Sequence, residues 1–127
     1  MFAIPEVIDF YTSRVAPHIR TAVSGASLTW KEFKGSLKTV IRGSVIGVII
    51  GAIPGTGATS AAFISYSEAK RTSPRKDNFG KGEVEGVAAA EAGNNGVAGA
   101  TLIPLLSLGI PGDVITAIIL GAFMIHG

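Results

Sequence analysis

The sequence has no cysteine among its 127 residues, and only 16% of these residues carry a charge. The lack of cysteine excludes a disulfide scaffold, a zinc site of the cysteine type and a thiol nucleophile. The two histidines, His18 and His126, stand too far apart for a metal-ligand spacing or a catalytic triad. Soluble domains carry about 25% charged residues, so this chain lacks groups that keep a folded surface hydrated. The sequence therefore predicts neither a metal site nor an enzyme.

The few charges are concentrated in two of four consecutive blocks. Residues 1–42 and 68–91 hold nearly all of them, residues 43–67 hold none, and residues 92–127 hold only Asp113. An uncharged run of this length reaches the roughly 20 residues that cross about 30 Å of hydrocarbon as a helix. The uncharged runs 43–67 and 92–112 both lie inside the sequence, which argues against a signal peptide. We therefore expect an all-α integral membrane protein, or a part of one.

Residues 1–42 are predicted to lie in water or at the membrane surface. Thr29 and Glu32 have the spacing of a capping box, which predicts that a helix starts there. After the cap, one face is apolar and another is basic, as in a helix that lies among lipid headgroups; an amphipathic helix packed against other protein has the same periodicity. The apolar face comprises Trp30, Phe33, Leu37 and Ile41, and the basic face comprises Lys31, Lys34, Lys38 and Arg42.

The uncharged run 43–67 is interrupted at its centre. Glycine occupies every fourth position from 43 to 55, which lets another helix backbone approach closely. Pro54, Gly55 and Gly57 must interrupt the helical hydrogen bonds, and basic residues, which favour the cytoplasmic side, flank the run at both ends. These features predict a re-entrant helical hairpin with arms of about 15 to 17 Å. Because a non-helical tip in a membrane must be covered by protein or line a cavity, the tip is expected to line a site.

The same break occurs a second time. Ile-Pro-Gly at 53–55 is followed four residues later by Thr59, and Ile-Pro-Gly at 110–112 is followed likewise by Thr116. Two broken helices indicate a transporter site at the membrane midplane, where helix N-termini face an anion. Residues 68–91 are then a basic cytoplasmic loop, and residues 92–127 form either a broken transmembrane helix or a second hairpin.

Five motifs in a fixed order carry a resemblance to a known family. On them, the chain resembles the large membrane subunit of the bacterial tripartite tricarboxylate transporters, and the match runs from about Phe2 to the last residue. Family members are several times longer, so the resemblance is to an internal part of the N-terminal half. The motifs are GAIPGTGA at 51–58, FISY at 63–66, FGKG at 79–82 with EGV at 85–87, EAGNN at 91–95, and LGIPG at 108–112 with TA at 116–117.

The resemblance implies one part of an inverted-repeat secondary transporter in the bacterial inner membrane, with several crossings of the lipid bilayer. It implies uptake of tricarboxylates or related carboxylates, driven by a sodium or proton gradient. No cofactor is expected, apart from Na⁺ as a coupling ion. The implied partners are a small membrane subunit and a periplasmic solute-binding protein that delivers the carboxylate substrate; no nucleic acid is expected.

Several polar residues have two interpretations. Asn94 and Asn95 are candidates for substrate binding or for hydrogen bonds between helices. Asp113 is either a helix N-cap or a ligand of a coupling cation or proton. Gly93 and Gly96 stand where alanines are expected, which predicts a looser helix. The candidate substrate-binding residues are Pro54, Gly55, Thr56, Gly57, Thr59, Asn94, Asn95, Gly112 and Thr116, and the candidate cation ligands are Thr59, Ser60 and Asp113.

Two alternatives remain at this point. A soluble nucleotide-binding domain would use residues 51–60 as its phosphate loop, but Ala58 stands where a P-loop has lysine and Ser60 where a dinucleotide motif has its third glycine. The other alternative is a truncated fragment of the transporter without activity of its own, since transport requires two repeats that close around one site.

Overall fold

A computed structural model describes residues 28–127, and the regular elements of this part are all helices. The all-α prediction is confirmed for this part. The predictions for residues 1–27, including His18, lie outside the described residues. The elements are α1 (Trp30–Gly51), α2 (Gly57–Thr72), a short 3₁₀ turn (Lys76–Asn78), α3 (Val84–Ala100), α4 (Leu102–Leu108) and α5 (Val114–His126).

None of the helices within residues 28–127 has both the length and the apolar character that crossing a membrane requires.

The first helix begins at the predicted capping box. The Glu32 backbone N–H donates to the Thr29 hydroxyl at 3.3 Å, and the Thr29 backbone N–H donates to the Glu32 carboxylate at 2.9 Å. Each side chain thus satisfies one of the N–H groups that a helix start leaves without a partner. The helix then continues without interruption to Gly51. The amphipathic segment that ends at residue 42 and the first arm of the predicted hairpin are therefore one continuous helix.

The predicted break lies between α1 and α2. Pro54 has no N–H to continue the helical pattern, and the Thr56 hydroxyl donates to the carbonyl oxygens of Ile50 at 2.6 Å and Ile53 at 2.9 Å. Gly55 and Gly57 have φ of 78° and 70°, values that residues with a side chain rarely adopt. The proline, the threonine and the two glycines together make the turn.

After this turn, α2 runs back along α1. The Arg42 guanidinium donates to the Thr72 hydroxyl and lies 3.9 Å from the Glu68 carboxylate, and the Ser65 hydroxyl donates to the Gly43 carbonyl oxygen at 3.4 Å. The two helices therefore form an antiparallel hairpin whose basic ends lie together.

The third helix packs parallel to α1 in a constant register. Four contacts join a residue of α1 to the residue 46 positions later in α3. Three of the four α1 positions are glycines, where an added Cβ would meet the α3 backbone or its small side chains. The interface predicted from the glycine spacing is confirmed. The pairs are Thr39 with Glu85, Gly43 with Ala89, Gly47 with Gly93, and Gly51 with Val97.

The two unexpected glycines of α3 lie at its closest contacts. A Cβ at Gly93 would overlap the Ser65 hydroxyl of α2, and a Cβ at Gly96 would lie 2.7 Å from the Ser44 carbonyl oxygen of α1. The helix is continuous from Val84 to Ala100. The expectation that these glycines loosen the helix is wrong, because they let α3 pack against both arms of the hairpin.

The last part of the chain folds back on itself. Helix α3 ends at Thr101, α4 follows, and the chain reverses at Gly109, where φ is 67° and the next N–H, that of Ile110, donates to the Pro104 carbonyl oxygen at 3.3 Å. Gly112 returns to the level of Thr101, where an added Cβ would lie 2.9 Å from the threonine Cβ. The second break therefore packs against the C-terminal end of α3.

Candidate functional site

The two Ile-Pro-Gly breaks lie side by side. The Gly55 backbone N–H donates to the Gly112 carbonyl oxygen at 3.1 Å. Gly112 is buried against Thr101, so a side chain at position 112 would push the second break away from the first. Residues that are 57 positions apart in sequence are thereby joined through main-chain atoms.

An open cavity of about 550 Å³ lies where the two breaks meet. This volume is within the range of small-molecule sites, about 300 to 1,000 Å³. Its walls come from the first turn of α2 and from the first turn of α5, so two helix N-termini open on one space. The lining includes Gly55, Gly57 and Thr59 from the first break, and Pro111, Gly112 and Asp113 from the second.

The N-terminus of α2 has no side-chain cap. Thr56 occupies the N-cap position, but its hydroxyl donates to the carbonyl oxygens of Ile50 in α1 and Ile53 in the turn. The first N–H groups of α2 therefore keep their hydrogen-bonding capacity and the positive end of the helix dipole. Thr59 adds a hydroxyl that has no hydrogen-bond partner within residues 28–127, whereas the Ser60 hydroxyl donates to the Thr56 carbonyl oxygen at 2.9 Å.

The N-terminus of α5 is capped by Asp113. One oxygen of this carboxylate, Oδ1, accepts from the Thr116 backbone N–H at 2.8 Å and from the Thr116 hydroxyl at 2.7 Å, and the Asp113 N–H donates to the same hydroxyl oxygen at 3.0 Å. The N-cap interpretation of Asp113 is confirmed. Thr116 is only 2% exposed, and its hydroxyl is occupied by the cap.

The two predicted asparagines lie elsewhere. Asn94 and Asn95 are exposed on α3 and are not part of the cavity wall. Within residues 28–127 their amides also form no hydrogen bond to another helix. The fold brings Gly55, Gly57 and Thr59 together with the second break, and it leaves the asparagines apart from them.

Two residues with structural roles were not among the candidate site residues predicted from the sequence. Thr101 is 1% exposed and supports Gly112, while its hydroxyl donates to the Ala98 carbonyl oxygen at 3.2 Å. Its position as a lone threonine ten residues before Pro111 was the available signal. The other residue is Glu85, which lies at the opposite end of the bundle.

The Glu85 side chain of α3 contacts α1 and the loop that follows α2. Its carboxylate accepts from the Thr39 hydroxyl at 2.5 Å and from the Ser73 hydroxyl at 2.7 Å, and it lies 3.5 Å from the Arg75 guanidinium. Partial burial raises the pKa of Glu85, but the hydrogen bonds from Thr39 and Ser73 and the charge of Arg75 outweigh it and hold the pKa below its ordinary value.

Paired broken helices that face one cavity are characteristic of secondary transporters. The chain belongs to the tripartite tricarboxylate transporter TctA family, which it matches over residues 1–127. The family predicted from the five motifs is confirmed.

Two relatives from Agrobacterium vitis are similar to this chain. One, an uncharacterized 52.8 kDa protein in the TAR-I ttuC' 3' region, is 44% identical over 100 residues, which are 79% of this chain and 20% of that protein. The other, an uncharacterized protein in the TAR-II ttuC' 3' region, is 46% identical over 81 residues, which are 64% of this chain and 34% of that protein. The chain thus spans about a fifth to a third of the relatives it matches. No solved structure matches it.

Proposed function

We propose that this chain contributes the substrate-binding breaks of the membrane subunit of a secondary active transporter. The transporter takes up tricarboxylates or related carboxylates across the bacterial inner membrane, coupled to a sodium or proton gradient. A small membrane subunit and a periplasmic binding protein assist it. Family membership supports the class of transporter. The Gly55–Gly112 hydrogen bond carries the proposal for the site, because it brings both breaks to one cavity.

The carboxylate substrate binds at the N-terminus of α2. The uncapped N–H groups there and the Thr59 hydroxyl supply donors for an anionic oxygen. Gly57, which has no side chain, lets the anion reach these donors directly. Hydrogen bonds to charged groups are worth about 1.5 to 3 kcal/mol each, so Thr59→Ala weakens the apparent affinity by roughly one to two decades.

A coupling cation binds beside Asp113. The carboxylate uses Oδ1 for the helix cap, and its second oxygen accepts no hydrogen bond within the described residues. Carboxylate oxygens and hydroxyl groups are ligands that hard cations prefer. A cation there also offsets the repulsion between Asp113 and a bound carboxylate, which couples the binding of the two ions.

The hairpin of α1 and α2 enters the membrane from the cytoplasmic side. In support, Arg42 contacts Thr72 and Glu68, so the basic residues before and after the uncharged run lie at the same end of the hairpin. The break with Pro54 and Gly55 lies at the other end. Basic residues favour the cytoplasmic face, and irregular backbone is tolerated inside a membrane where it lines a cavity.

The decisive experiment places valine at Gly57 in a polypeptide of the relatives' length that contains this chain. It is expressed with the small subunit and the binding protein, and uptake of radiolabelled citrate is measured. We expect Gly57→Val to abolish uptake while the amount of protein in the membrane is unchanged. Gly80→Val is the matched control, because Gly80 also has a positive φ, 83°, and open space around its Cα, but lies in the loop away from the cavity. Normal uptake by Gly57→Val would refute the site.

A further inference from the structure

The basic groups of the described chain are gathered at one end of the bundle. Helices α1 and α3 run parallel and α2 runs against them, so the start of α1 lies beside the loop between α2 and α3. The Arg42–Thr72 contact marks the upper limit of this end. Beyond it, residues 43–67 carry no charge. The bundle therefore has a charged end, which holds the lysines and arginines, and an opposite end with no lysine or arginine.

Three lysines of α1 form an exposed row at the charged end. Lys31, Lys34 and Lys38 follow one another at helical spacing and are exposed. No carboxylate lies within 4 Å of these lysines in the described part of the chain; the nearby Glu32 carboxylate is bound to Thr29. Arg42, which the sequence pattern groups with them, turns instead toward Glu68. The row consists of three cations without protein counter-charges among residues 28–127.

An aromatic and aliphatic row lies next to the lysines on the same exposed side of α1. Trp30 is 70% exposed, and its ring stacks on Phe33 with a centroid distance of 5.3 Å. The Lys34 ammonium lies 5.6 Å from the Trp30 ring centroid. Leu37 and Ile41 continue the apolar row and are also exposed. Covering this row with another apolar surface would remove it from water, which is favourable.

Along α1 the exposed surface changes from mixed to wholly apolar. After Arg42 the exposed large side chains are Val45, Val48 and Ile49, and no charge accompanies them. A lipid leaflet matches this axial order, since it has phosphate at one depth and hydrocarbon at the next. Lysines extend their charged ends toward the phosphates, and tryptophan is enriched at the level of the headgroups.

We propose that this surface of α1, which comprises Trp30, Lys31, Phe33, Lys34 and Lys38, binds the headgroups of anionic phospholipids. The three ammonium groups contact the lipid phosphates, and the two aromatic rings lie beside them at the level of the headgroups. The inference rests on the proposed membrane location of the hairpin. It adds a preference for anionic lipid at one helix, worth roughly fivefold in affinity for each lysine near the surface.

The single tryptophan of the chain makes the test direct. The chain is reconstituted in vesicles of phosphatidylcholine with a fixed fraction of phosphatidylglycerol. In one preparation the phosphatidylglycerol carries bromine on the part of its acyl chains nearest the headgroup, and in the other an equal amount of phosphatidylcholine carries it there. Bromine quenches tryptophan fluorescence only at close range, so the difference between the two preparations reports which lipid lies beside Trp30.

We expect brominated phosphatidylglycerol to quench Trp30 about twofold more strongly than brominated phosphatidylcholine. The triple variant Lys31→Gln, Lys34→Gln and Lys38→Gln should lose this excess, and raised salt should reduce it. The matched control changes the same number of exposed lysines outside α1, Lys70→Gln, Lys76→Gln and Lys81→Gln, and should keep it.

Equal quenching by the two brominated lipids would overturn the lipid preference, although the membrane location would stand. A chain that floats with vesicles while Trp30 is quenched by neither lipid would also overturn it, in favour of a protein partner on α1. Failure to float with vesicles of any composition would refute the proposed membrane location itself, so the two proposals fail in different ways.

Discussion

The hydrogen bond from the Gly55 N–H to the Gly112 carbonyl oxygen, 3.1 Å long, joins the two helix breaks through backbone atoms alone. A main-chain link does not depend on which side chains line the cavity. The hydroxyl and carboxylate groups around it can therefore serve ligands, while the position of the breaks is set by the close packing of Gly112 on Thr101.

Substitution can separate the capping role of Asp113 from its proposed role as a cation ligand. Asp113→Asn keeps an oxygen that can accept from the Thr116 N–H, whereas Asp113→Ala removes the cap and should cost about 0.5 to 2 kcal/mol of stability. Both variants should lose the dependence of citrate uptake on the coupling cation if the carboxylate binds that cation. Uptake by Asp113→Asn with unchanged cation dependence would leave the residue with its capping role alone. Thermal unfolding in detergent measures the first effect, and uptake at varied sodium concentration and pH measures the second.

The contact between α1 and α3 predicts a large effect from one methyl group. A Cβ at Gly47 would overlap the Gly93 carbonyl oxygen and lie 3.0 Å from the Gly96 Cα. Gly47→Ala should therefore destabilise the bundle by about 1 to 3 kcal/mol. Gly35→Ala is the matched control in the same helix, because nothing lies within 4 Å of its added Cβ, and it should stabilise the helix by about 0.5 to 1 kcal/mol. Equal effects in thermal unfolding would contradict the observed packing.

The hairpin can be tested by labelling, since the chain has no cysteine of its own. Single variants Arg42→Cys and Lys70→Cys should react with a membrane-impermeant maleimide from the same side of the membrane. Ile53→Cys, at the break, should react more slowly because the proposed hairpin places it deeper in the bilayer. Labelling of positions 42 and 70 from opposite sides would show that the chain crosses the membrane between them.

The Glu85 carboxylate predicts a loss of stability in acid. Because its pKa is held below its ordinary value of 4.5, the carboxylate contributes fully above that value, and the contribution is lost as the pH falls through the lower folded pKa. Unfolding of the chain in detergent, measured between about pH 7 and about pH 3, should show this loss, and Glu85→Gln should reduce the pH dependence. Thr39→Val, which removes one donor, should cost about 1.5 to 3 kcal/mol near neutral pH. An unchanged pH profile in Glu85→Gln would show that other groups cause the loss.

Citrate uptake should depend on both proposed partner proteins. A polypeptide of the relatives' length that contains this chain should take up citrate only when the small membrane subunit and the binding protein are both present. Undiminished uptake without the binding protein would contradict a tripartite transporter. A panel of di- and tricarboxylates, screened by thermal stabilisation of the binding protein, would identify the substrate.

The sequence by itself determined the local features. Thr29 and Glu32 start α1 at the predicted place, Pro54 and Gly55 interrupt the helix, and glycine at every fourth position marks a helix interface. Each of these depends on backbone chemistry that acts within a few residues, namely an N–H to be capped, a missing N–H or a missing Cβ.

Only the tertiary structure decided which separated residues meet. The chain reversal at Gly109 brings Gly112 to Gly55, and the direction of Asn94 and Asn95 away from the cavity follows from the register of α3 against α1. The same register turns Gly93 and Gly96 from apparent weak points into the closest helix contacts. These outcomes depend on how three helices fit together, and a local pattern leaves that fit open because many packings satisfy the same periodicity.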